Sequence, residues 1–284
     1  MHVLVGLLFI VLVTPALLAA QPRVPPNLEV QRDLAYGPHA SHRLDAYLQP
    51  GAGPHPVVIF VHGGGHVSGD KRGGGLNLVL PVVSAAGYSV ISINYRLAPA
   101  YPHPAQVEDA RLAVRWVRTQ AAQFRLDPAR LAVAGASAGG HIVTFLGFTP
   151  CPSIPQATDP VGRQSCRPRT VVNFFGTTDL RARNDRLLDA LLGSNPSPVQ
   201  KAEASPITYV SADDPPTLSL HGTADPLVPY AQSVALHGVL RGAGVPNLLV
   251  MVEGGGHGSN WTTLPGAASW QRALVEWLDA HLKP

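Results

Sequence analysis

Six short runs of unbroken apolar character punctuate this chain: "VVIFV" (57–61), "YSVISINY", "RLAVAGAS", "TVVNFFG", "PTLSLHG" and "NLLVMVE". A half-exposed strand alternates apolar and polar residues, whereas an unbroken run suits a strand buried on both faces. Stretches with helical spacing separate most of the runs, over 76–86, 106–124, 137–148, 230–241 and 267–282. In the second of these, Val107, Ala110, Val114, Val117 and Ala121 fall on one face. Buried strand alternating with helix predicts an α/β fold, with a mostly parallel sheet and helices on both of its faces. Upstream, "LEVQRDLAY" and "HRLDAYLQ" alternate around "GPHAS", which predicts an antiparallel hairpin at the sheet edge. The sum is a sheet of about eight strands in one domain over 21–284.

Composition narrows the function classes. Charged residues are 14% and hydrophobic residues 45% of the 284, as in a folded globule. Net charge is +3 with Lys and Arg scattered, so no basic run is present to neutralise phosphates and nucleic acid is not an expected partner. From Val3 to Ala20 the chain is apolar and uncharged, and polar, proline-rich sequence begins at Gln21. This predicts a signal peptide over 1–20, export to the periplasm or beyond, and no stable membrane association after cleavage. An uncleaved anchor is the alternative reading. Cys151 and Cys166, the only cysteines, bracket a proline-rich stretch, and in an exported chain they predict a disulfide. Two cysteines with no paired histidine cannot complete a tetrahedral zinc site, so no metal is expected.

In open parallel sheets ligands collect beyond the carboxyl ends of the strands. Four suggestive groups follow four of the apolar runs: His62-Gly63-Gly64-Gly65, Ser137, Asp225 and His257. Each has a bland reading. The glycines could be merely flexible, Ser137 could cap a helix, Asp225 could open a turn before Pro226, and His257 could be a solvated loop residue. Together they meet the needs of one chemistry. A serine hydroxyl becomes a nucleophile when a histidine takes its proton, and a carboxylate orients that histidine and stabilises its cation. Gly135 and Gly139 permit the sharp strand-to-helix turn that thrusts Ser137 outward. The helix behind it offers a free amide at Ala138, and Gly64 and Gly65 let further amides approach the same developing oxyanion.

These motifs resemble a known family. "HGGG" (62–65), "NYRLAP" (94–99), "GASAGG" (135–140), "HGTADPLVP" (221–229) and "GGGHG" (254–258) look like those of α/β-hydrolase esterases and lipases. The chain is most similar to the hormone-sensitive-lipase-like branch and to feruloyl-esterase-type, BD-FAE-like carboxylesterases, colinearly from about residue 27 onward. The resemblance implies Ser137 as nucleophile, Asp225 as acid, His257 as base, and Gly64, Gly65 and Ala138 as oxyanion donors. It also implies hydrolysis of short to medium acyl esters, small or polymer-linked and including feruloyl or acetyl-xylan types, through an acyl-enzyme with no cofactor. His62 would brace its loop. His66 stands where many relatives carry an aromatic residue such as tryptophan, which bears on acyl-pocket preference.

Asp179, after another apolar run, is the competing acid; Asp213, Asp214, His221 and Glu253 read as structural or solvated, and Asn260-Trp261-Thr262 fits a glycosylation sequon. Two other functions use the same machinery or fold: a peptidase of the prolyl-oligopeptidase type, or a catalytically silent binding protein. Oligomeric state is left open. Between Leu180 and Pro215 only "NDRLLDALLG" reads as helix, so the expectation is a shallow, open site with little or no cap and a weak grip on long acyl chains.

Overall fold

The computed structural model describes residues 22–151 and 153–283; the expected leader lies outside them. Eight strands form one sheet. They are β1 (Glu29–Ala35), β2 (Arg43–Leu48), β3 (His55–Val61), β4 (Ser89–Ile93), β5 (Leu126–Ala136), β6 (Thr170–Phe174), β7 (Thr217–Gly222) and β8 (Asn247–Val252), in the order β1-β2-β4-β3-β5-β6-β7-β8. β1 pairs antiparallel with β2, and β2 with β4; every other neighbour pair is parallel. The predicted hairpin and parallel core are both present.

Seven α-helices connect these strands among the described residues: α1 (Leu76–Ala85), α2 (Ala105–Thr119), α3 (Ala138–Phe148), α4 (Arg186–Leu192), α5 (Pro198–Glu203), α6 (Ala231–Gly242) and α7 (Ala267–Leu282). β3 shows why its sequence does not alternate. Val57, Ile59 and Val61 pack toward α2 and α3, with Val107, Val114, Ile142 and Leu146. Val58 and Phe60 pack toward α1 and α7, with Leu76, Val79, Trp270 and Leu274. Both faces are covered, so every position gains from being apolar, by about 1.5–3 kcal/mol for a large side chain.

Two helices differ from expectation. α2 ends at Thr119, and the chain to Phe124 closes in turns before Arg125, at φ 55°, redirects it into β5. α5 forms inside the polar, proline-rich stretch that reads as loop. Ser197 accepts from the Gln200 backbone while the Gln200 side chain returns to Ser197 N, and Pro198 occupies the first turn. That capping box offsets the weak apolar content of so short a helix. Cys151 and Cys166 form the expected disulfide, with Cα atoms 5.5 Å apart. No helix among the described residues is long and apolar enough to cross a membrane.

Candidate active site

β5 delivers Ser137 at its carboxyl end, and α3 begins one residue later. A Cβ on Gly135 would run into the Gly139 carbonyl, and one on Gly139 into the Val61 carbonyl. The two glycines therefore let β3, β5 and α3 converge at the turn. Ser137 sits there at φ 56°, ψ −116°, a conformation costly for a residue with a Cβ. Its amide donates to Phe174 O at 2.9 Å, which locks the turn to β6. Its side chain makes no capping bond to α3. The capping explanation of this serine fails, and the hydroxyl is left for other use.

β7 and β8 deliver the other two groups. His257 Nδ1 lies 2.7 Å from Asp225 Oδ2. Asp225 is fully buried on its side chain, and its other oxygen accepts from Leu227 N at 2.8 Å and Val228 N at 2.9 Å. His221 Nε2 stands 3.4 Å from Asp225 Oδ2, but its close partners are Val228 O at 2.9 Å and Ser233 Oγ at 2.7 Å. Because a carbonyl only accepts, the His221 proton is on Nε2, and this histidine ties the acid loop to α6. Asp179, the competing acid, is held by Arg181 at 2.6 Å and makes no bond to His257.

The His257 loop is fixed by residues whose part was not evident from sequence. The Asn260 side chain accepts from Gly256 N at 2.9 Å and donates to Gly254 O at 3.1 Å. Trp261 Nε1 donates to Gly256 O at 2.8 Å. Phe175, at φ 40°, sets its ring 4.5 Å from the His257 ring, centroid to centroid, and is backed edge-on by Trp261 at 5.1 Å. A periodicity argument sees Phe175 and Trp261 only as core.

The loop after β3 carries Gly64 at φ 127° and Gly65 at φ 63°. The amides of Gly64, Gly65 and Ala138 donate to no other group among the described residues. Ala138 opens α3, where helix geometry leaves an amide without an internal partner and the helix dipole favours negative charge. His62 braces this loop as expected: Nδ1 lies 2.7 Å from Gly63 O, and the ring stacks on Tyr95 at 4.3 Å. Burial pushes the His62 pKa down to about 4, against the hydrogen bond to Gly63, so it stays neutral. The "NYRLAP" motif is the loop's frame. Tyr95 donates to His62 O, Asn94 accepts from Lys71 N and donates to Asp70, and Arg96 clasps buried Asp109. Lys71 and Arg72 anchor the far side of the loop on Asp33 and Asp45, the latter fully buried.

Ser137, Ala138, Gly64, Gly65 and His257 all line one cavity of about 1640 Å³. The cavity is larger than the expectation of a shallow site implies, and it is open on one side. α4 forms its own small core through Leu188 and Leu191 against Leu180 and Ala204, and it rises as one wall. Leu187 closes on the glycine loop: a Cβ on Gly65 would sit 2.9 Å from Leu187 Cδ1. Arg23, Val24 and Pro25 contribute a further margin, with Arg23 N donating to Asn77. One helix and an N-terminal arm thus border a large open cleft without a large inserted cap. No group of three or more His, Cys, Asp or Glu side chains among the described residues is placed to hold a metal ion.

Comparison with known proteins agrees with this fold. A family model described as BD-FAE matches residues 44–240. Esterase LipC of Mycobacterium tuberculosis is 31% identical over 80% of this chain and 59% of that protein. The probable carboxylic ester hydrolase LipM of the same organism is 30% identical over 71% of this chain and 49% of that protein. The chain therefore spans about half to three-fifths of the length of these curated relatives. Among solved structures, a truncated carbohydrate esterase from gut microbiota superposes with TM-score 0.82 at 26% identity, covering 93% of this chain and 100% of that one. An acetyl ester-xyloside bifunctional hydrolase from Caldicellulosiruptor lactoaceticus gives 0.77 at 30% identity, covering 84% and 87%. The architecture is the α/β-hydrolase fold.

Proposed function

The chain belongs to the BD-FAE family, and from that membership and its site we propose that it is a serine carboxylic-ester hydrolase. The observation that carries the reading is the 2.7 Å contact of His257 Nδ1 with buried Asp225, in the cavity where Ser137 stands strained at a helix N-terminus. In this mechanism Ser137 Oγ attacks the ester carbonyl as its proton passes to His257 Nε2. Asp225 stays ionised and stabilises the imidazolium. The oxyanion is received by the free amides of Gly64, Gly65 and Ala138. Collapse breaks the bond to the alcohol, which leaves with the proton from His257. Water, activated by the same imidazole, then releases the acid and frees Ser137.

The substrate we favour is a short acyl ester on a saccharide, because the two superposable structures cited above are described as a carbohydrate esterase and an acetyl ester-xyloside hydrolase. Export through a leader at 1–20 is part of the proposal, and the Cys151–Cys166 disulfide suits an oxidising compartment. Activity against 4-nitrophenyl esters and acetylated xylooligosaccharides, beside peptide anilides, tests the reading. Esters cleaved and anilides untouched is the expected outcome. Cleavage of anilides alone would turn the reading toward a peptidase.

A further inference from the structure

Beside the glycine loop the cavity wall holds two imidazoles that the proposed mechanism does not use. His66 follows Gly65 directly and is held at φ 68°, with its carbonyl accepting from Ala98 N at 2.9 Å. It is 8% exposed, its Nδ1 is sealed without a partner, and Nε2 makes no hydrogen bond among the described residues. His141 lies one turn beyond Ser137 and is 1% exposed. The two rings meet edge to face, 5.0 Å apart, and both residues line the cavity.

The His141 tautomer is fixed. Nε2 lies 2.8 Å from Ala204 O, and a carbonyl can only accept, so Nε2 carries the proton. Nδ1 is then a lone pair, and it too is buried without a partner. Both rings are neutral: burial pushes His141 down to about 4 and holds His66 well below the ordinary imidazole value, with nearby Arg183 acting the same way on each. Buried polar atoms without partners are uncommon and carry a desolvation cost that a hydrocarbon at the same place would avoid. A ligand meeting the His141 lone pair must donate a proton in a hydrogen bond. A carboxylate cannot do so, an alkyl group cannot, and an ammonium would be placed beside the Arg183 cation. A hydroxyl donates its one proton to His141 and still accepts through its lone pairs, so it also satisfies His66 where that ring presents an N–H.

We propose that His66 and His141 form a hydroxyl-recognition subsite, so that the ester processed at Ser137 carries a free hydroxyl group, as a partly acylated saccharide does. The inference rests on the ester-hydrolase reading and specifies its substrate class.

Two pairs of isosteres test it on the full chain. 2-Hydroxyethyl acetate against propyl acetate places the hydroxyl on the alcohol side; ethyl 3-hydroxybutanoate against ethyl 3-methylbutanoate places it on the acyl side. The protein should favour the hydroxylated member of at least one pair by roughly tenfold in kcat/KM. His66→Phe should bring that ratio to within about twofold, and His66→Gln, which keeps a donor and an acceptor, should restore part of it. A purely structural role for His66 would lower both members of a pair together and leave the ratio in place, which overturns the proposal. So does the absence of preference in both pairs while all four esters are cleaved. Failure to cleave any of the four overturns the ester-hydrolase reading itself, and the subsite with it.

Discussion

Asp225 divides its two carboxylate oxygens between different tasks. Oδ2 meets His257 Nδ1 at 2.7 Å, and Oδ1 accepts the backbone amides of Leu227 and Val228. In the proposed mechanism Asp225 is thereby oriented by its own loop before it orients the imidazole, and His257 Nε2 is left for proton transfer. Asp225→Asn would present an amide in place of the carboxylate and destabilise the imidazolium. The expected loss in kcat is roughly 10³- to 10⁴-fold, with folding intact by circular dichroism. Asp179→Asn, which only loosens a surface pair with Arg181, should stay within about threefold of the parent. The reverse ranking would reassign the acid.

Ser137→Ala should abolish ester hydrolysis by roughly four to six powers of ten. The chain should also lose labelling by an organophosphate at the peptide containing Ser137. The substitution removes an oxygen with no capping role, and it leaves the Ser137 N to Phe174 O bond available to alanine. Thermal stability should therefore be nearly unchanged. A soluble variant that keeps a tenth of the parent activity would eliminate the serine as nucleophile.

The buried acid behind the glycine loop should matter as much for folding as for catalysis. Asp45 is fully buried on its side chain and meets Arg72 at 2.6 Å and Lys71 at 3.6 Å, with Lys71 itself 3% exposed. Asp45→Asn leaves those cations undercompensated in the interior. Removing one partner of a buried pair costs about 3–5 kcal/mol, a fall in Tm of roughly 10 °C for a domain of this size. Differential scanning calorimetry reads it directly. A shift of about 1 °C would mean that the network is solvated in practice.

The order of motifs and the strand ends that carry them were legible in the sequence because strong local rules write them. Unbroken apolar runs mark doubly covered strands, and Gly135 and Gly139 mark a turn where no Cβ fits. Ser137, Asp225 and His257 could be placed at one end of the sheet for that reason alone. Their supports were not legible. Asn260 reads as a sequon, yet it ties the His257 loop through Gly256 and Gly254. Phe175 reads as core, yet it faces the His257 ring from a left-handed backbone. Such contacts join residues far apart in the chain, which no periodicity encodes. α5 was legible in principle, since Ser197-Pro198 and Gln200 spell a capping box, but the low apolar content of the segment obscured it.

Acid should unfold this protein through its histidines before its carboxylates. Burial lowers His62 and His141 to about 4, and lowers His103 to about 3. Unfolded, each returns toward 6.5. Between those values the unfolded chain binds more protons than the native one, so native stability rises with pH across the window. The stability is fully present above about pH 6.5 and declines as pH falls toward 4. Asp33, lowered to about 2 by Lys71 and Arg72, begins to cost stability only below its unfolded value near 3.8. Tm should therefore drop by on the order of 10 °C between pH 7 and 4.5. A flat Tm over that range would show that these rings gain protons without disrupting the fold.

The volume and apolar walls of the cleft set the expected chain-length profile. The polar, proline-rich segment after α4 suggested an open site that loses long acyl chains. The structure instead walls about 1640 Å³ with Leu78 and Val82 of α1 and Leu187, Leu188 and Leu191 of α4. That volume exceeds the range of roughly 300–1,000 Å³ usual for small-ligand pockets. Each methylene buried against such walls contributes about 0.8 kcal/mol, so the four added between butyryl and octanoyl chains can offset the cost of ordering them. With 4-nitrophenyl esters, kcat/KM for octanoate should stay within about tenfold of that for butyrate. Leu187→Asp, which puts a charge on the α4 wall beside Gly65, should depress octanoate more than acetate. A steep fall from butyrate to octanoate in the parent, left unaltered by Leu187→Asp, would show that acyl chains do not use this wall and would return the site to the open form that the sequence suggests.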